Sequence, residues 1–145
     1  MQDNVFDFTA RIDTSDIALG THTGLAMFEA SASGLEIIQS DTTRQLQYFH
    51  LTGPTSNPTP NTIPGPALIQ PTIQLRVHIE ADTATYFYSL DNGATFQPVG
   101  PATPIHFSWW KASRPALFAY TTEAAPASPI DIDWVHYQPT AENPW

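Results

Sequence analysis

The chain has 145 residues, no cysteine, five Lys plus Arg against fourteen Asp plus Glu, and a formal net charge of -9. That length holds one hydrophobic core, the acidic field disfavours nucleic-acid and membrane-surface partners, and the absence of cysteine excludes a disulfide scaffold, a thiolate metal site and a cysteine nucleophile. Aromatic residues make up 12% of the chain, more than acidic disordered chains carry.

No apolar run approaches the roughly 18 residues of a spanning helix, and Met1-Gln2-Asp3-Asn4 lacks the basic and apolar regions of a signal peptide. Apolar residues recur with period two, which predicts an all-β domain. The first strand is Phe6 to Asp13, with Phe6, Phe8, Ala10 and Ile12 inward and Asp7, Thr9, Arg11 and Asp13 outward. A turn-rich stretch leads to Thr23–Phe28, then Gly34–Gln39 and Arg44–Thr52, spaced as in a β-meander. Between residues 53 and 71 stand Pro54, Pro58, Pro60, Pro64, Pro66 and Pro71, read as an extended surface loop because proline interrupts ladder hydrogen bonding. A domain linker is the rival reading of that stretch.

Ile73, Leu75, Val77 and Ile79 then alternate with Gln74, Arg76, His78 and Glu80, followed by Thr83 to Leu90 with Tyr86 and Tyr88 on one face and Phe87 on the other. Asp91-Asn92-Gly93 turns the chain into Thr95–Val99. Ser89 to Phe96 also fits the S-x-D-x-G-x-T-aromatic Asp-box pattern, a folding device. Strands near Leu117–Thr121 and Ile130–Tyr137 bring the count to about nine, which predicts a single two-sheet antiparallel sandwich with a short tail at 139–145, a small barrel being the alternative.

Five blocks occur in one order: Thr23-Gly24-Leu25-Ala26-Met27-Phe28; Leu75-Arg76-Val77-His78-Ile79; Tyr86 to Gly93; Trp110-Lys111-Ala112-Ser113-Arg114-Pro115-Ala116-Leu117-Phe118-Ala119-Tyr120; and Ile130-Asp131-Ile132-Asp133-Trp134-Val135-His136-Tyr137. Over residues 5–138 this set resembles the C-terminal concanavalin A-like β-sandwich of family 43 glycoside hydrolases, the β-xylosidase and arabinofuranosidase group. In that family a separate propeller holds the catalytic carboxylates; no propeller is present here, the domain is shortened, and the family's usual glycine after the Trp-Trp-Lys element is Ala112. The resemblance therefore implies a sugar-associated sandwich without hydrolysis of its own. Its implied partners are a xylan-type polysaccharide or oligosaccharide and a catalytic glycosidase domain.

Sugar recognition needs flat aromatic faces and planar polar side chains. The expected floor is Tyr86 and Tyr88 with Gln74, Arg76, His78 and Glu80, joined by Tyr48 and His50, although the same residues also describe an ordinary solvated sheet face. Trp109 and Trp110 are a second candidate, since adjacent strand residues point opposite ways and only one can meet sugar. Trp134 is expected to support the final strand, and Trp145 lies in the tail. His22, His50, His78, His106 and His136 show no zinc spacing. Asp131 and Asp133 are about 7 Å apart on a strand rising ~3.3 Å per residue, wide of the roughly 5–5.5 Å of a retaining carboxylate pair. A small glycosidase would have only Glu29, Glu80, Asp131 and Asp133 to draw on.

The resemblance further implies a structural Ca²⁺ with Asp133 as the last-strand ligand and Gly24 as a carbonyl partner; pairing of Asp133 with Arg11 or Arg114, or a turn cap, is the competing reading. The expected function is a non-catalytic module binding plant cell-wall polysaccharide, xylan or arabinoxylan, with a structural accessory domain on a glycosidase propeller as the alternative. An extracellular or periplasmic location follows from that substrate class alone.

Overall fold

The computed structural model describes residues 5–28, 32–52, 57–105, 114–122 and 129–139. Two antiparallel sheets face each other, and no helix occurs among the described residues. The strands are β1 (Val5–Asp13), β2 (Thr21–Phe28), β3 (Ala32–Gln39), β4 (Arg44–Thr52), β5 (Thr59–Leu68), β6 (Thr72–Glu80), β7 (Thr83–Ser89), β8 (Gln97–Pro98), β9 (Thr103–Pro104), β10 (Arg114–Thr121) and β11 (Asp131–Pro139). One sheet has the order β11-β1-β6-β7-β8, with the short β9 also on β7; the other runs β10-β2-β3-β4-β5.

Period-two alternation places one face of each long strand in the core. Phe6, Ile12, Ile73, Leu75, Val77, Ile79 and Tyr86 from the first sheet meet Leu25, Met27, Leu35, Ile37, Leu46 and Tyr48 from the second, all buried. Removing each such side chain from water contributes roughly 1.5–3 kcal/mol. The chain crosses between sheets at Thr14, whose amide and hydroxyl both donate to the Pro71 carbonyl at 2.7 and 2.8 Å. Arg44 Nη1 donates to the Thr14 carbonyl and hydroxyl oxygens, each at 2.8 Å, tying that crossing to the start of β4.

Two sequence expectations change. The proline-rich stretch is not a loop over its whole length: Thr59–Leu68 is edge strand β5, paired to β4 from Thr52↔Thr59 to Arg44↔Leu68. Proline is tolerated on an edge because only one side of the strand needs ladder donors. A register shift between Gln45 and Gln47 absorbs Gly65 and Pro66, and Gln45 Nε2 donates to the Gly65 carbonyl at 2.5 Å.

The second change concerns β7. Glu80 pairs with Thr83 around the two-residue turn Ala81-Asp82, with Ala81 at φ 53°. That closure sets Val77 against Tyr86, Leu75 against Tyr88 and Arg76 against Phe87. Tyr86 and Tyr88 therefore share the inner face with Val77 and Leu75, and Phe87 lies outside.

Candidate functional site

The outer face of the first sheet carries Gln74, Arg76, His78 and Glu80 as expected, but Arg76 and His78 are engaged by neighbours within the sheet. His78 Nδ1 is 2.7 Å from Asp7 Oδ1 and its Nε2 is 3.8 Å from Glu80 Oε2. Arg76 Nε donates to Thr9 Oγ1 at 2.9 Å while its guanidinium sits 3.7 Å over the Phe96 ring. Gln74 is buried, 6% exposed, beneath Gly93 of the Asp-box turn.

The tyrosines expected beside them are core residues. Tyr86 is fully buried, bonded through its hydroxyl to Ser33 Oγ at 2.7 Å and donating to the Ser33 carbonyl at 2.9 Å, so it bridges the two sheets. Tyr48 is buried with its hydroxyl 2.6 Å from Thr103 Oγ1. Tyr88 is half-buried against the core, and His50 follows Tyr48 on the other sheet, opposite Ser33 and Asn61. These residues do not form one floor. Trp109, Trp110, Glu29, His106 and Trp145 lie outside the described residues.

The implied calcium ligands are not brought together either. Asp133 pairs with Arg11 at 3.3 Å on the first sheet, whereas Gly24 lies in the second, opposite Glu36 and Phe118. The Asp133 carboxylate faces a guanidinium, and no group of three His, Asp or Glu side chains converges among the described residues.

A groove of about 450 Å³ lies on the outer face of the second sheet, within the usual range for small-ligand sites. Its origin is legible in the register. The outward positions of β2 and β3 include Gly24, Ala26, Ala32 and Gly34, paired as Ala26↔Gly34 and Phe28↔Ala32, while β10 and β4 present Phe118 and Phe49 outward on either side. Small central residues flanked by large ones leave a trough. A methyl group on Gly24 would overlap the Leu35 carbonyl oxygen, and one on Gly34 the Leu25 carbonyl oxygen, so the glycines also permit close approach of β2 and β3. Phe49 and Phe118 meet edge to face across this floor at 5.8 Å.

At one end of the trough lies Glu36, 7% exposed. Its Oε1 is 2.7 Å from His22 Nδ1 and accepts from Gln47 Nε2 at 3.3 Å, and its Oε2 accepts from the Tyr120 hydroxyl at 3.2 Å. The His22 and Tyr120 rings stack at 4.6 Å, and Phe118 continues the stack at 6.1 Å from Tyr120. Partial burial first, then the adjacent Glu36 charge and the hydrogen bond to it, push the Tyr120 phenol up to about 12. Tyr120 is therefore a fixed donor at neutral pH. A carboxylate has about four lone-pair sites, so Glu36 retains acceptor capacity for a ligand hydroxyl.

Of these residues the sequence pattern named only His22, among the histidines, and Phe118 and Tyr120, within a resemblance block, none of them as a binding residue. The signals were present as a charge inside the apolar run Leu35-Glu36-Ile37 and as Gly or Ala on alternate positions of two neighbouring strands.

The family model for the β-xylosidase C-terminal concanavalin A-like domain matches residues 1–138. Among solved structures, a GH43 glycoside hydrolase engineered to display both endo-xylanase and exo-arabinofuranosidase activity is similar at TM-score 0.83 and 18% identity, covering 95% of this chain and 30% of that one. A bifunctional GH43-CE protein of Bacteroides eggerthii is similar at TM-score 0.80 and 19% identity, covering 96% of this chain and 18% of that one. A xylan β-1,4-xylosidase from Bacillus halodurans is similar at TM-score 0.75 and 16% identity, covering 95% and 28%. The chain thus spans less than a third of each of these three. None of the curated proteins matches it.

Proposed function

The chain belongs to the family of β-xylosidase C-terminal concanavalin A-like domains of the GH43 glycoside hydrolases, and from that premise we propose that it is a non-catalytic carbohydrate-binding module for xylan or arabinoxylan, with the groove on the β10-β2-β3-β4-β5 sheet as its site. The observation that carries this reading is the buried Glu36, held by His22, Gln47 and Tyr120 beside exposed aromatic surface. Such an arrangement accepts hydroxyl donors and offers apolar faces to the C–H side of a sugar ring. Two-carboxylate glycoside hydrolysis needs a second carboxyl group, and Glu36 stands alone in the described lining. Glu80, Asp131 and Asp133 belong to the other sheet. An extracellular or periplasmic location accompanies this substrate class.

The test is affinity electrophoresis of the purified chain through gels containing xylan, arabinoxylan, β-glucan or no polysaccharide, with reducing-sugar release assayed on the same panel. Retardation by a xylan without sugar release, lost in Glu36→Gln and Tyr120→Ala, is the expected result. Micromolar to millimolar affinity is expected for an open sugar site, where ordering and desolvation offset much of the contact energy. Absence of retardation on every glycan would overturn the reading. It would leave the accessory role in front, for which the exposed Ile132, Val135 and Tyr137 on edge strand β11 provide an apolar docking surface toward a catalytic domain.

A further inference from the structure

The cross-strand register sorts the groove into levels along the strands. Tyr120 pairs with His22 at one end; Phe118, Gly24, Glu36 and Gln47 form the next level; Ala26, Gly34, Phe49 and Thr62 the third; Phe28 pairs with Ala32 at the fourth, where Pro60 faces Leu51. Hydrogen-bonding groups thus gather at the first two levels. The last two are almost wholly apolar, with Thr62 the one hydroxyl in their lining. Successive levels are two residues apart, so at ~3.3 Å per residue the groove extends roughly 20 Å from first level to fourth.

Sugar units filling the whole length would present hydroxyls at every level, so the two apolar levels suit a substituent carried by the polysaccharide rather than more of its backbone. The apolar end also exposes Phe28, 54% accessible, beside the floor formed by Phe49. Arg114, paired to Phe28 across β10 and β2, is exposed at the same end. Aromatic edges and faces favour another aromatic ring over an alkyl chain beyond what buried area alone gives, and a guanidinium at the rim favours a π face further.

We infer that the groove takes a neutral sugar esterified by an aromatic acid, the sugar hydroxyls at Glu36 and the aryl group against Phe28, Phe49 and Leu51. The inference rests on the reading of this groove as a carbohydrate site and adds the class of substituent. The aryl ring adds affinity by covering Phe28, which otherwise remains in water. The sugar sets orientation by donating hydroxyl protons to the Glu36 cluster.

Isothermal titration of the purified chain with 5-O-feruloyl-arabinofuranose, methyl arabinofuranoside and xylotriose tests this. The feruloyl sugar is expected to bind at least about tenfold more tightly than the methyl glycoside, a difference of about 1.4 kcal/mol, and more tightly than xylotriose. Phe28→Ser and Leu51→Ser are expected to remove that difference by weakening the feruloyl sugar far more than the methyl glycoside, and Glu36→Gln to weaken both. Phe28 is exposed, so its substitution leaves the core intact, and a melting curve for each variant checks this. Xylotriose binding as tightly as the feruloyl sugar, or a feruloyl preference that survives in folded Phe28→Ser and Leu51→Ser, overturns the inference while leaving the carbohydrate reading standing. Failure of all three ligands to bind overturns both.

Discussion

Glu36 and Tyr120 are 84 residues apart in the chain, yet the phenol donates to the carboxylate. Their coupling has a direct optical consequence. Tyr120 has its folded pKa raised from 10.0 to about 12, by desolvation first and then by Glu36. The protonated phenol favours the folded state, so its contribution to stability is complete below the unfolded value of 10.0 and is lost as pH rises through about 12. Titration of tyrosinate absorbance should show a group ionising near the upper value, and Glu36→Gln should move it part of the way down while desolvation remains. If the late group is unmoved by that substitution, the pairing is wrong. Tyr86 gives the opposite lesson. It was expected on a sugar-binding face because alternation alone assigns a strand two faces without saying which is inward; the two-residue closure Glu80↔Thr83 fixes that choice. Tyr86→Phe leaves the Ser33 hydroxyl and carbonyl short of a partner in the core and should cost about 1–3 kcal/mol by urea denaturation, with xylan retardation unchanged.

At the scale of elements, the alternating strands β1, β4 and β6 were legible because each has one wet and one dry face. β5 was not, since its prolines are compatible with an edge strand as well as with a loop, and only pairing to β4 decides between them. The groove depends on a strand pair that reads as weak by composition. Gly34→Ala places a methyl against the Leu25 carbonyl and Ala26, and overpacking of this kind typically costs 1–3 kcal/mol; thermal denaturation should show the loss, with binding reduced as β2 and β3 move apart. The Asp-box hairpin is a separate, acid-sensitive element. Thr95 hydroxyl, Thr95 amide and Ser89 hydroxyl all donate to the Asp91 carboxylate and hold its pKa at about 2, below the ordinary 3.8. A depressed folded pKa gives stability that is complete above 3.8 and is lost as pH falls through about 2. Asp91→Asn should therefore flatten the fall in melting temperature across that window, and an unchanged acid limb would show that the hairpin does not contribute to it.

Over the whole molecule, a net charge of -9 and a groove with one carboxylate among its described lining residues separate two electrostatic effects. The acidic net charge, which disfavours polyanionic partners, was readable from composition. Which sheet carries the groove was not, because His22, Glu36, Gln47, Phe118 and Tyr120 come from four strands whose adjacency is set by topology rather than by any local pattern. Self-repulsion among the surface carboxylates weakens the compact state and is screened as the Debye length falls from about 30 Å at 0.01 M salt to about 3 Å at 1 M. Contact between the Glu36 cluster and a neutral sugar carries no net charge exchange and is short compared with either length. Added sodium chloride should therefore raise the melting temperature while leaving retardation on neutral arabinoxylan nearly constant. Binding that weakens steeply with salt would instead place recognition on charged side chains outside the groove, where Arg11 and Arg76 of the opposite sheet would be the first to substitute.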